Sequence, residues 1–147
     1  MKRIVVLLAV LWGQSFGVQA QQCFPPGNFT IAGYPFSCGP APTCIDPTIG
    51  DIGRAAPGQA IWLHPVLGSY PVGVIAFVFA HECAHFQGLM NEQAADAWAI
   101  KLGRNQGWIN AQTVQQVCQS VYFSQGDWTH FPGPVRCQLM MQAFGMP

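Results

Sequence analysis

A predominantly helical α+β fold is expected from three features of the sequence. Beyond residue 70, successive segments repeat apolar residues at helical spacing. One short β-prone run, Ala60-Ile61-Trp62-Leu63, precedes them and ends at His64-Pro65. Residues 21–58 hold seven prolines and six glycines, which argues for a looped arm without extended regular structure. A length of 147 residues suits one compact domain.

The first twenty residues read as an export signal. Met1-Lys2-Arg3 is basic, Ile4 to Trp12 is a nine-residue apolar run, and Val18-Gln19-Ala20 puts small residues at the two positions a signal peptidase reads. Cleavage before Gln21 would leave residues 21–147 as a single domain, periplasmic or secreted. No apolar run reaches the roughly 20 residues of a bilayer span, so no transmembrane segment is expected in the mature chain. Residues 21–147 carry four basic and six acidic side chains, a net charge of −2, and offer no basic patch for nucleic acid. Charged residues make up 8% against about 25% in ordinary globular chains, and half the residues are hydrophobic, which excludes a disordered tail.

All six cysteines fall after residue 20, and an even count in an exported chain suggests disulfides. Cys38 and Cys44 are near enough to close a small loop, while Cys118 and Cys137 flank one C-terminal segment. Cys83 lies in a very apolar helical run and can instead be a free buried thiol. The pairing stays open at this level, and Cys23 adds a further partner.

Pro71 suits the opening turn of a helix that runs through Val74, Ile75, Phe77, Val78 and Phe79 to His85 and stops at Gly88. Its apolar residues lie nearly all round, as in a buried helix. Asn91 caps a second helix with Glu92 in its first turn and Ala94, Ala95, Trp98 and Leu102 along one side, ending near Gly103 to Gly107. A third starts near Asn110, with Val114, Val117, Cys118 and Val121 on one face. Gly126 to Pro134 is turn-rich, and a short helix is expected over Val135 to Phe144.

The chemistry concentrates in His81-Glu82-Cys83-Ala84-His85, an H-E-x-x-H pattern. Chance predicts on the order of 10⁻³ such matches in a chain of this composition. Residues four apart share a helix face, so both imidazoles can reach one zinc ion. Glu82, offset around the helix, can take a proton from a water whose pKa the metal lowers toward about 7. If Gly88 to Met90 reverses the chain, an antiparallel second helix brings Glu92 to the metal and Asp96 to the ring of His81. Glu92 then completes a His₂Glu set, and Asp96 accepts the N–H facing away from the metal, fixing the imidazole orientation. Three of the six carboxylates lie within these 15 residues. An alternative third ligand is Asn91, because His81 to Asn91 also reads H-E-x-x-H-x-x-G-x-x-N, one position from the metzincin pattern; Met140-Met141 would then supply its Met-turn. Glu92 is favoured, since a carboxylate binds zinc better than an amide.

With Glu92-Gln93-Ala94-Ala95-Asp96 as second motif, the chain resembles the gluzincin metallopeptidases. Within them it is most similar to the family of the CAAX prenyl peptidase, whose second motif reads E-x-x-A-D. Thr129-His130-Phe131-Pro132 and then Arg136 parallel that family's later Thr-His-Pro stretch and Arg. This chain is much shorter and lacks the family's membrane spans. The resemblance implies a zincin-like helical core, with Ala60 to Leu63 as a short edge strand along a cleft where an extended substrate adds as a β-strand. It also implies that His130 and Arg136 face the site and stabilise an oxyanion.

Other polar groups have simpler roles. His64 is read as structural, Asp46 and Asp51 as turn residues, and Trp62, Trp98, Trp108 and Trp128 as groove-lining or core aromatics. There is no phosphate-binding glycine loop and no serine nucleophile elbow. The expected function is an exported hydrolase with one Zn²⁺, a metallopeptidase with Glu82 as general base acting on peptide or protein. The alternative is a non-catalytic, zinc-stabilised, disulfide-containing binding module.

Overall fold

The structure is a computed structural model describing residues 20–146, so nearly all of the expected export signal lies outside the described residues. Among the described residues it is a mixed α+β fold with four α-helices and two small sheets. Strands β1 (Gln22–Phe24), β2 (Phe29–Ile31), β3 (Tyr34–Phe36), β4 (Thr43–Ile45), β5 (Gly53–Ala56) and β6 (Ala60–Leu63) come first. Helices α1 (Val72–Phe86), α2 (Glu92–Gln106), α3 (Ala111–Val121) and α4 (Gly133–Phe144) follow.

The expectation of an arm without extended regular structure is corrected by this order, because five of the six strands lie before Gly58. Each is three or four residues long, and the prolines and glycines fall mostly between them. The β2–β3 hairpin turns through Ala32 and Gly33, both at positive φ, as a two-residue hairpin loop requires. Pro35 is tolerated in β3 because that sheet has only two strands, leaving its missing N–H on an open edge.

The larger sheet has the order β1-β4-β6-β5. Strand β6 is therefore internal, parallel to β4 and antiparallel to β5, and the edge-strand assignment of Ala60 to Leu63 is corrected. The edges are β1 and β5, and the sequence Gly-Arg-Ala-Ala of β5 carries little β-propensity and is held by its register with β6.

Helix α1 is the axis of the fold. It packs against α2, α3, β5 and β6, and ten of its fifteen residues are buried. The core around it includes Ile61, Leu63, Val74, Ile100, Val114, Val117 and Met140. Met140 is an interior residue of α4, so no Met-turn exists there. Gly88, at φ 94°, ends α1 with Leu89 N–H returning to the Ala84 carbonyl at 3.0 Å. Asn91 then caps α2, its Oδ1 accepting the Ala94 N–H at 2.8 Å. That tight reversal lays α2 along α1.

Three disulfides fix the pairing: Cys23–Cys44, Cys38–Cys83 and Cys118–Cys137. The Cys38–Cys44 loop is thus corrected, and so is a free Cys83, since no cysteine is free. Cys38–Cys83 ties the arm to α1 beside Glu82, and Cys118–Cys137 clamps α3 to α4. Three such bonds suit an oxidising environment. No helix among the described residues is long and apolar enough to cross a membrane.

The remaining polar residues behave as turn chemistry predicts. His64 Nδ1 accepts the Val66 N–H at 3.1 Å, and Asp46 accepts from Thr48 N–H and hydroxyl. Trp98 and Trp108 line an uncharged groove of about 990 Å³ on the far side of α1, while Trp62 lies under the Arg54 guanidinium at 6.0 Å.

Candidate metal centre

Helices α1 and α2 bring His81, His85 and Glu92 into one group that can hold a metal ion. His81 and His85 are one turn apart on α1, and Glu92 opens α2. His81 Nε2 and His85 Nε2 are 2.9 Å apart, and Glu92 Oε2 lies 3.0 Å from the first and 3.2 Å from the second.

The outer contacts decide what these atoms present to one another. His81 Nδ1 lies 2.8 Å from Asp96 Oδ1 and His85 Nδ1 lies 2.8 Å from the Leu89 carbonyl, both acceptors, so each Nδ1 carries the hydrogen and donates. In a neutral ring the other nitrogen, Nε2, is then a lone pair. Two nitrogen lone pairs and a carboxylate oxygen converge on one point, an arrangement that calls for a cation. A tetrahedral ion with bonds of about 2.0–2.1 Å spaces its ligand atoms about 3.3 Å apart, close to the separations here.

Electrostatics report the same demand. Burial disfavours charge on His81, but hydrogen bonds to Asp96 and Glu92 and the negative charges of Asp96 and Glu82 outweigh it and raise its pKa to about 9. Burial likewise raises Glu92, yet the His81 hydrogen bond and the positive imidazoles dominate, bringing it to about 2. A proton therefore competes with a metal for this point.

Asp96 links the cluster to α4. Its Oδ1 takes the His81 hydrogen, while Arg136 donates to it twice, Nε to Oδ2 and Nη2 to Oδ1, both at 2.8 Å. Burial would raise the Asp96 pKa, but these bonds and charges hold it below the usual carboxylate range. Arg136 lines the cleft, but the structure commits two of its three guanidinium nitrogens to Asp96 instead of leaving the group free for an oxyanion.

Glu82 stands apart from the ligand group. It is 8% exposed and lines the same cleft of about 360 Å³ as His81, His85, Glu92 and His130. Burial is the main cause raising its pKa to about 7, opposed by His81 and reinforced by the charges of Glu92 and Asp51. That value suits a group that must both take and release a proton near neutrality.

His130 approaches from the α3–α4 loop, with Nε2 2.9 Å from Glu92 Oε2. Its Nδ1 faces Asp127 Oδ2 at 3.0 Å, a pairing the sequence reading missed although an Asp three residues before a His in a turn is visible there. Gly53 was missed as well. A Cβ on it would sit 2.8 Å from Glu82 Oε1, so β5 passes where only glycine leaves that carboxylate room. Nothing in the local sequence marks this contact, which joins residues far apart in the chain. Asn91, the alternative ligand, spends its side chain on the α2 cap.

No family model, curated protein or solved structure matches the chain, which leaves the geometry of the cluster as the basis for a functional reading.

Proposed function

We propose that the protein is an exported zinc-dependent hydrolase of peptide bonds, similar in layout to the gluzincin metallopeptidases. One observation carries this: three lone pairs converge in a cleft that also holds a separate glutamate with its pKa near neutrality. His81, His85 and Glu92 would hold the ion, and two imidazoles with one carboxylate are a common catalytic zinc set. Bound there, zinc would supply Lewis acidity, lowering the pKa of water toward about 7 and polarising a carbonyl.

The chain's own residues supply the rest. Glu82 takes a proton from the attacking water and returns it to the leaving amine, a transfer worth about 10²–10⁴-fold. His130, oriented by Asp127 through Nδ1, aims Nε2 into the cleft 2.9 Å from Glu92 Oε2, and with both ring nitrogens protonated it can donate to a developing oxyanion. Asp96 holds His81 in its tautomer, and Arg136 holds Asp96. The sheet edge that can receive an extended substrate is β5, whose Gly53, Arg54 and Ala55 line the cleft.

The test pairs metal content with turnover. The native chain should bind one zinc per molecule, Glu92→Ala should lose it, and Asn91→Ala should keep it. Glu82→Gln should retain zinc and lose at least about 100-fold in peptide hydrolysis. Retained zinc with no hydrolysis by the native chain of any peptide or protein substrate tried would favour a zinc-stabilised binding module.

A further inference from the structure

We infer that the α3–α4 loop is a docking lip for extended polypeptide bearing bulky apolar side chains, an inference that rests on the hydrolase reading and names its substrate class. Within residues 122–131 four large aromatics face solvent: Trp128 at 104% relative exposure, Phe123 at 85%, Tyr122 at 52% and Phe131 at 46%. Rings of this size bury about 150–250 Å² each when covered, so together they make an exposed apolar surface of the kind that marks an interaction site.

These rings are displayed by an ordered loop. Ser124 N–H bonds the Val121 carbonyl at 2.9 Å, Gly133 N–H the Ser124 carbonyl at 2.9 Å, and Asp127 N–H the His130 carbonyl at 2.9 Å. Asp127 Oδ1 accepts the Thr129 and His130 N–H groups at 2.7 and 2.8 Å. Gln93 Nε2 donates to the Thr129 carbonyl at 3.3 Å, and the Cys118–Cys137 bond clamps the base of the loop. Rigid aromatic groups lose little freedom on binding, which favours them as anchors.

The loop has two faces. Ser124, Asp127 and His130 line the cleft, and the exposed Phe123, Trp128 and Phe131 are their immediate chain neighbours. Ile52, 39% exposed, lines the same cleft and leads into the edge strand β5. A strand added to β5 therefore enters the cleft that the candidate metal centre and the loop residues Ser124, Asp127 and His130 also line.

Charge selects the occupant. Residues 120–135 contain no Lys or Arg, and their one acid, Asp127, is consumed by hydrogen bonds within the loop. Nothing here attracts an anionic lipid surface. Continuity with the cleft points to an uncharged, apolar stretch of polypeptide.

The test uses the zinc-loaded Glu82→Gln chain and a fluorescein-labelled peptide of Gly, Ser and Ala with a central Phe-Leu-Phe, read by fluorescence anisotropy. The apolar peptide should bind roughly tenfold or more weakly when Phe123→Ser and Trp128→Ser are added, and a peptide with Ser in place of Phe-Leu-Phe should bind as poorly. Equal binding of the two peptides, or equal binding by the two proteins, overturns the inference. So does lip-dependent binding to phosphatidylcholine vesicles without peptide binding, which would make the loop a membrane anchor. The two readings separate cleanly. Lip-dependent peptide binding by a chain whose active form cleaves no peptide or protein substrate tried keeps the docking lip and sinks the hydrolase; cleavage at one rate by the active chain with and without the two lip substitutions does the reverse.

Discussion

Gly53→Ala should nearly abolish turnover while leaving the metal site intact. The added Cβ would lie 2.8 Å from Glu82 Oε1, 2.9 Å from Glu82 Cγ and 3.0 Å from Val78 Cγ1. Comfortable carbon contacts are about 3.5–4.0 Å, so Glu82 must give way by about 0.5–1 Å. Its carboxylate borders the cleft and can swing toward it, which keeps the folding cost near the low end of overpacking, about 1 kcal/mol. Gly53 is not among the glycines at positive φ, so alanine adds no backbone strain. Catalysis is less forgiving, because a displacement of about 1 Å in a reacting group can cost about 100-fold. None of His81, His85 and Glu92 supplies any of the three atoms nearest the new Cβ. The expected outcome is full zinc content, a melting temperature lower by about 3–6 °C, and kcat/KM down about 100-fold. The assay is peptide hydrolysis alongside metal analysis of the same sample. Activity within twofold of the native chain would refute the role assigned to Glu82.

Two further predictions concern the charged groups behind the cluster. Arg136→Lys keeps the charge but cannot donate to both Asp96 oxygens in the same fork, so zinc affinity, read by competition with a chelating dye, should fall about 10–100-fold. In chelator, thermal stability should decline from about pH 5 to pH 9. Glu82, raised from 4.5 to about 7, holds its proton longer when folded, so its contribution is lost between those values. His81, raised from 6.5 to about 9, stabilises fully below 6.5 and loses that effect as pH passes 9. Saturating zinc should flatten the upper part of this decline, and a melting temperature that rises from pH 6.5 to 9 in chelator would contradict the cluster's electrostatics.

The parts of the site legible in sequence were those set by local geometry. His81 and His85 share a face because helical periodicity puts them there, and Gly88 with Asn91 encodes the reversal that brings Glu92 and Asp96 alongside. Strand pairing is a different kind of information. Gly53-Arg54-Ala55-Ala56 has little intrinsic preference for a strand and becomes one through register with β6, so the local pattern alone makes β5 arm and β6 the edge. Cys38 pairs with Cys83 across 45 residues, a choice no local pattern contains. The same divide runs through the chemistry. The motif on α1 supplies the donors, but the groups that govern their protonation and reach come from elsewhere: Arg136 and Asp127 from the C-terminal third, Gly53 from the arm. If the cluster catalyses, its activity should therefore depend as strongly on Gly53, which binds nothing, as on residues that touch the metal, and that dependence is what separates a working cleft from three well-placed ligands.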